Sequence, residues 1–423
     1  MHDNVVILGA GFAGISAAYH LGLRGGRPII YEKDADWGGL GGNFVIDGFR
    51  FDRFVHFSSA HDEYIKKLFE ESSPTYAHKS VSYNYYHGHW LKHPAQNNLA
   101  PLGTDEKVKI ITDFIARPTT PTNGFANYDQ WMRAQYGNYF TDNFSGVYTK
   151  KYWGVPAADM GATWATHRMH SPDVAQVLRG AFETQDENFY YTDVMRYPRH
   201  GGFRSLMDKC RAGLDIRFNK RIVKIDPASR CLTFSDGSVA RYNRLVSSLP
   251  ITDMVRMIPD TPSEIRAAAK KLHWTCGYIV SLGFRRSDVA PHLWFYIYDT
   301  DIPPARVYSP NLKSPDNVPA GCSAMQAEIF FDCRANIPSA DIILRQTIEK
   351  LQTICKFSCA DIIVQDIRFE PYANITFVHG THENRKIVRD YLASRGIETI
   401  GRFGTWDYML SHDVVRHAMG VVR

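Results

Sequence analysis

Apolar positions give the first outline of this chain. Val5-Val6-Ile7-Leu8 is an apolar run of strand length. A helical pattern follows through Ser16, Ala17, Ala18, Tyr19 and Leu21. A second short run, Pro28-Ile29-Ile30-Tyr31, then ends in the acid Glu32. The order predicted is strand, helix, strand. Helical spacing returns from Asp105 to Phe114 and from Tyr128 to Tyr152, with the Pro- and Gly-bearing loop 117–124 between them. Residues 76–194 therefore read as mainly helical. Between 215 and 248 the pattern is strand-like again, with the turn Ser235-Asp236-Gly237-Ser238 joining two strands and Arg244 to Ser248 forming a last one. Gly277 to Phe284 and Ala324 to Phe331 read as antiparallel strands, and Ile342 to Leu351 and Arg385 to Ser394 as helices. Thr399 to Gly404 reads as a closing strand, with a helix starting near His412.

The segment between the first strand and first helix carries the chemistry. Gly9-Ala10-Gly11-Phe12-Ala13-Gly14 has GxGxxG spacing. Gly9 permits the tight turn, Gly11 lets backbone approach a pyrophosphate, and Gly14 lets the helix pack close to the sheet. The helix N-terminus presents free N–H groups and a positive dipole end to phosphates. Glu32, ending the second strand, is placed to accept hydrogen bonds from a ribose diol. Directly after it, Trp37-Gly38-Gly39-Leu40-Gly41-Gly42-Asn43 has glycines on both sides of Leu40, which let backbone at Gly39 and Leu40 pass beside an extended cofactor. That continuation favours FAD over NAD. The fold class expected is α/β: a Rossmann-type FAD-binding domain, discontinuous over 1–75, 195–255 and 395–423. It would carry an inserted helical substrate or cap domain at 76–194 and an antiparallel β-sheet substrate domain at 256–394.

Composition narrows the functional classes. With 423 residues, the chain has room for two or three packed units. A hydrophobic share of 44% and a charged share of 22% are those of a globular protein. The formal charge of +5 is too mild to argue for nucleic acid but fits an anionic small substrate. Seven scattered cysteines, none in a CxxC pair, read as a reducing compartment with neither disulfide framework nor metal site. The apolar runs are too short for a membrane span or signal peptide, so a cytoplasmic protein is expected.

Several segments, taken in order, carry a resemblance to known proteins. They are Gly48-Phe49-Arg50-Phe51-Asp52 leading to His56; Trp90-Leu91-Lys92-His93-Pro94 through Asn97-Asn98; and Tyr148-Thr149-Lys150-Lys151-Tyr152-Trp153-Gly154. Further along come Asp193 through Tyr197-Pro198 to Gly201-Gly202-Phe203, then Ile302-Pro303-Pro304-Ala305-Arg306, then Gly401-Arg402 followed by Tyr408. With these pieces the chain resembles the amine-oxidase and protoporphyrinogen-oxidase-like flavoproteins, and within them the UDP-galactopyranose mutase group.

The resemblance implies a flavin-dependent mutase that interconverts pyranose and furanose forms of a nucleotide sugar, the reduced flavin N5 attacking the anomeric carbon. It implies FAD, active when reduced, with NAD(P)H as a candidate reductant, and a UDP- or dTDP-linked sugar as substrate. A homodimer is a candidate assembly; neither nucleic acid nor membrane is a partner. His56 is implied over the isoalloxazine, Arg306 and Arg402 at the departing diphosphate, and Arg168 as a third cation there, with His167 competing for that last role. Tyr148, Trp153, Tyr408 and Asn98 are implied at the substrate, and Arg402 and Tyr408 near the flavin. Met195, Leu410 and Ser411 depart from the group's pattern, as does the stretch Tyr372-Ala373-Asn374. They keep open a net FAD oxidoreductase, such as an amine or sugar oxidase or a desaturase.

Overall fold

The computed structural model describes residues 4–118, 124–164, 169–189 and 192–422. Its first layer is a five-stranded parallel sheet in the order Ile397–Thr399, Arg244–Ser247, Val5–Leu8, Ile29–Tyr31, Asp215–Arg217. Every residue of Val5–Leu8 is buried, as a central parallel strand covered on both faces must be. The helix Phe12–Gly22 packs on this sheet and on the C-terminal helix Ser411–Val421. A three-stranded antiparallel meander, Ile222–Asp226, Cys231–Phe234 and Val239–Arg241, adjoins the sheet.

A second sheet of seven strands roofs the molecule. Its order is Ile362–Thr376, His273–Phe284, Ser323–Asp332, Arg306–Tyr308, Trp294–Ile297, Tyr83–Tyr86, His89–Lys92. All neighbours are antiparallel except Trp294–Ile297 with Tyr83–Tyr86. The two strands expected at 277–284 and 324–331 pair with each other, Gly277 opposite Phe330 and Gly283 opposite Ala324.

Three local expectations change. Residues 75–92 are not helical: they form the strands Thr75–Lys79, Tyr83–Tyr86 and His89–Lys92, and the last two complete the roof. The helical stretch from Tyr128 is interrupted at Gly137, whose φ is +84°. It resumes through Asn138–Phe140, a π-helical turn Thr141–Ser145, and Gly146–Trp153. The cause is tertiary: the Tyr139 N–H donates to the Asp113 carboxylate at 2.7 Å, which starts the chain on a new axis. The closing strand is only Ile397–Thr399; Gly401–Thr405 is a short helix. Gly401 turns there at φ +73° against Ala13 of the first helix.

Candidate active site

The glycine turn has the geometry of a dinucleotide cradle. Gly9 sits at φ +94°. A Cβ on Gly14 would overlap the Gly9 carbonyl oxygen, so only glycine allows the helix this close to the strand. The helix N-cap, Gly11, supplies no capping side chain, and its first turn holds no acid. Its leading N–H groups are thus left for an anion. The glycine loop after Glu32 lies directly against this turn: the Gly38 N–H donates to Ala10 O at 2.9 Å, and a Cβ on Gly39 would stand 3.1 Å from Gly11 Cα. Buried Glu32 accepts from Ala10 N at 2.7 Å and Asp34 N at 3.0 Å. A carboxylate has about four acceptor sites, so two remain for a diol. These residues fit FAD.

Beside the cradle, between the parallel sheet and the roof, lies a cavity of about 360 Å³. His56, Leu40, Arg402 and Tyr408 line it, with Tyr148, Trp153 and Arg306. Residues 250 positions apart are thereby brought to one wall. His56 stacks on Phe203, with ring centroids 4.8 Å apart, and its Nδ1 lies 3.1 Å from Phe54 O. A carbonyl can only accept, so Nδ1 carries the proton. Burial, the largest cause, pushes the imidazole down to about 4, and Lys313 and Arg402 add to this against the opposing pull of Asp52. The ring is therefore neutral at pH 7.

Arg306 opens the strand Arg306–Tyr308 and stands opposite Glu328 in register. Its Nε donates to Glu328 Oε2 at 2.6 Å, and its guanidinium lies 5.5 Å from the Tyr152 ring centroid. Glu328 is fully buried and also accepts from Val55 N at 2.6 Å. Arg402 donates from Nε and Nη2 to Met409 O at 3.0 and 2.6 Å, fixing the loop that carries Tyr408. Tyr148 and Tyr152, one helical turn apart on Gly146–Trp153, stack at 5.7 Å, and Tyr148 meets Tyr296 and Tyr298 edge-on. Burial raises the Tyr148 phenol well above its ordinary value, so its hydroxyl remains a donor. Trp153 is buried against Tyr152 and Trp164 while still reaching the cavity.

Asn98 is a correction. It is fully buried, its amide donates to Pro94 O at 3.1 Å and its carbonyl accepts from Gln185 N at 2.8 Å. It ties two chain segments together and does not line the cavity; its neighbours Pro94 and Gln96 do. Arg168 and His167 lie outside the described residues, but Trp164 and Met169, which flank them, are both in the cavity wall. Met195, Leu410, Ser411 and Asn374 line it too. Sequence reasoning missed Tyr152, Tyr296 and Tyr298. The signals existed: Tyr152 is four residues beyond Tyr148, and Trp294 and Tyr296 alternate along one face of the strand Trp294–Ile297, with Tyr298 continuing the alternation just past its end. Away from the cavity, His273, Asp332 and Cys333 hold ligand-type atoms within 4.8 Å, but His273 Nδ1 and the Asp332 carboxylate bond each other at 3.0 Å.

Residues 12–377 match the family described as flavin containing amine oxidoreductase. The chain belongs to this family. FAD is accordingly the cofactor of this amine oxidoreductase family member. Among solved structures it is similar to reduced UDP-galactopyranose mutase, with TM-score 0.90 and 23% identity over 99% of this chain and 94% of that one. It is similar also to a proposed protoporphyrinogen oxidase from Exiguobacterium sp. 255-15, with TM-score 0.77 and 16% identity over 100% and 98% of the two chains. A redesigned putrescine oxidase follows, with TM-score 0.66 and 14% identity over 99% and 98%. At such identities these likenesses establish the shared fold. Among the described residues, no helix is long and apolar enough to cross a membrane.

Proposed function

We propose that this flavoprotein is a mutase of nucleotide-diphosphate sugars, exchanging pyranose and furanose ring forms without net redox change. The observation that carries the reading is one cavity holding two guanidinium groups, Arg306 against Tyr152 and Arg402 against Tyr408, among further tyrosines beside the dinucleotide cradle. The likeness to reduced UDP-galactopyranose mutase supports it and favours a UDP-linked sugar, with a dTDP-linked one as second choice. Bound reduced FAD supplies the nucleophile for the anomeric carbon.

The chain supplies the rest. Arg306 is tied to Glu328 through Nε, which aims the planar fork while its two amino groups receive diphosphate oxygens. Each charge-assisted bond contributes about 1.5–3 kcal/mol. The hydroxyls of Tyr148 and Tyr408 donate to the same oxygens, and Arg168 is proposed as a third cation. Stacked Tyr148 and Tyr152 give the sugar a flat apolar face, and Trp153 and Trp164 keep water out while the sugar is detached from its diphosphate. Neutral His56 offers a lone pair at Nε2. NAD(P)H is the proposed source of reducing equivalents.

A second reading, a net FAD oxidoreductase, draws on the apolar Met195 and Leu410 in the wall and on the neutralisation of Arg306 by Glu328. One experiment separates the two. The FAD-loaded protein is reduced and incubated with UDP- and dTDP-sugars, then quenched with borohydride. A sugar adduct on the flavin and a product of unchanged mass support the mutase. Bleaching of oxidised flavin by substrate, with a product two hydrogens lighter, overturns it.

A further inference from the structure

Beneath His56 lies a buried ion pair that the proposed reaction does not use. The side chains of Lys313 and Asp52 bond directly and are each 1% exposed. The ammonium is sealed by aromatic rings, 4.2 Å from the Tyr197 centroid, 4.7 Å from Tyr308 and 5.5 Å from Phe57. Asp52 Oδ2 also accepts from the Tyr197 hydroxyl at 2.8 Å, and Oδ1 from the Phe203 N–H at 3.0 Å. Phe203 is the ring on which His56 stacks. The chain between Asp52 and His56 bends through Phe54 at φ +64°, a conformation that L side chains rarely adopt. Both sides of that bend are pinned from the roof: Tyr308 donates to Asp52 O at 3.1 Å, and Glu328 accepts from Val55 N.

We propose that the Asp52–Lys313 pair is a positioning device for His56: through Phe203 and the bend at Phe54 it fixes the place of the ring, and its lysine offsets the charge of its own carboxylate there. The inference rests on the functional reading above only for its catalytic meaning, since the packing around the ring comes from the chain's own residues and needs no sugar substrate. Among the described residues, three charged groups act on the imidazole: Asp52 from the strand Phe49–Asp52, Lys313 from the helix Pro310–Lys313, and Arg402 from the helix Gly401–Thr405. Asp52 favours the cation; Lys313, Arg402 and burial oppose it. The lysine therefore offsets part of the pull of a carboxylate that draws a proton towards the ring. A cationic His56 would lose the Nε2 lone pair it shows the cavity.

The test follows the His56 imidazole by ¹³Cε1 NMR through a pH titration of the full-length, FAD-loaded protein. Wild type should stay uncharged at pH 5. Lys313→Met leaves Asp52 uncompensated and should raise the midpoint by about one unit or more. Tyr197→Phe keeps the ring but removes a hydroxyl dipole from the same carboxylate, and should give a smaller rise. It is the milder change and decides the question alone if Lys313→Met does not fold. A folded Lys313→Met, or failing that Tyr197→Phe, whose midpoint stays at the wild-type value or falls overturns the proposal. A shifted midpoint in a protein that shows no mutase activity even as wild type would sink the mutase reading and leave this one standing.

Discussion

Replacing Gly14 with alanine tests the cradle directly. The added Cβ would overlap Gly9 O, and clearing it to even 3.0 Å needs a movement of about 1 Å. The helix cannot yield freely. Its residues from Phe12 to Ala18 are all buried, and it is backed by the C-terminal helix. Overpacking of this kind costs about 1–3 kcal/mol of stability. A displacement of that size also takes the helix N-terminus off the pyrophosphate. Losing one charge-assisted bond, about 1.5–3 kcal/mol, weakens FAD roughly 10- to 150-fold. The assay is flavin-to-protein absorbance after gel filtration, titration calorimetry of the apoprotein with FAD, and a thermal melt. Gly22→Ala is the control. It lies in the same helix with nothing within 4 Å of its Cβ position, so it should retain FAD and gain about 0.5–1 kcal/mol. A Gly14→Ala protein that binds FAD and melts like wild type would refute the assignment of this turn as the phosphate cradle.

Three further outcomes are expected. Glu328→Ala strands Arg306 without its buried partner and should cost about 3–5 kcal/mol in urea melts, whereas Glu328→Gln, which can still accept from Val55 N, should cost less. Equal losses would deny the carboxylate its backbone role. Asn98→Ala should lower stability by about 1–3 kcal/mol with substrate affinity unchanged, because among the described residues both polar atoms of Asn98 bond backbone; a selective rise in KM would return it to the substrate site. His56, His93 and His292 are each pushed down to about 4, burial being the largest cause. Their native values lie below the unfolded value of 6.5, so the unfolded chain binds the extra protons. Stability is complete above pH 6.5 and falls between 6.5 and 4, by up to about 1.4 kcal/mol per pH unit for each histidine. Urea midpoints at pH 7, 6 and 5 should decline in that order, and a flat series would contradict the burial of these rings.

The sequence by itself determined what depends on near neighbours. The run Val5–Leu8, the glycine turn, the first helix and Glu32 fall within one strand–turn–helix–strand unit, whose spacing is fixed by backbone geometry. The long strands at 273–284 and 323–332 and the helices at 340–355 and 381–394 were readable from periodicity for the same reason. Tertiary structure decided the rest. A regular pattern cannot reveal that Asp113 will break the helix at Gly137, or that Tyr83–Tyr86 will leave the helical region to pair with Trp294–Ile297. Nor can it pair Arg306 with Glu328 across a strand register, or Asp52 with Lys313 over 261 positions. Asn98 makes the point in reverse: its type suits a sugar hydroxyl, yet its surroundings give both of its polar atoms to backbone. Side-chain chemistry is written locally, but the direction in which each group faces, and the charge it meets there, depend on which distant segments share its burial.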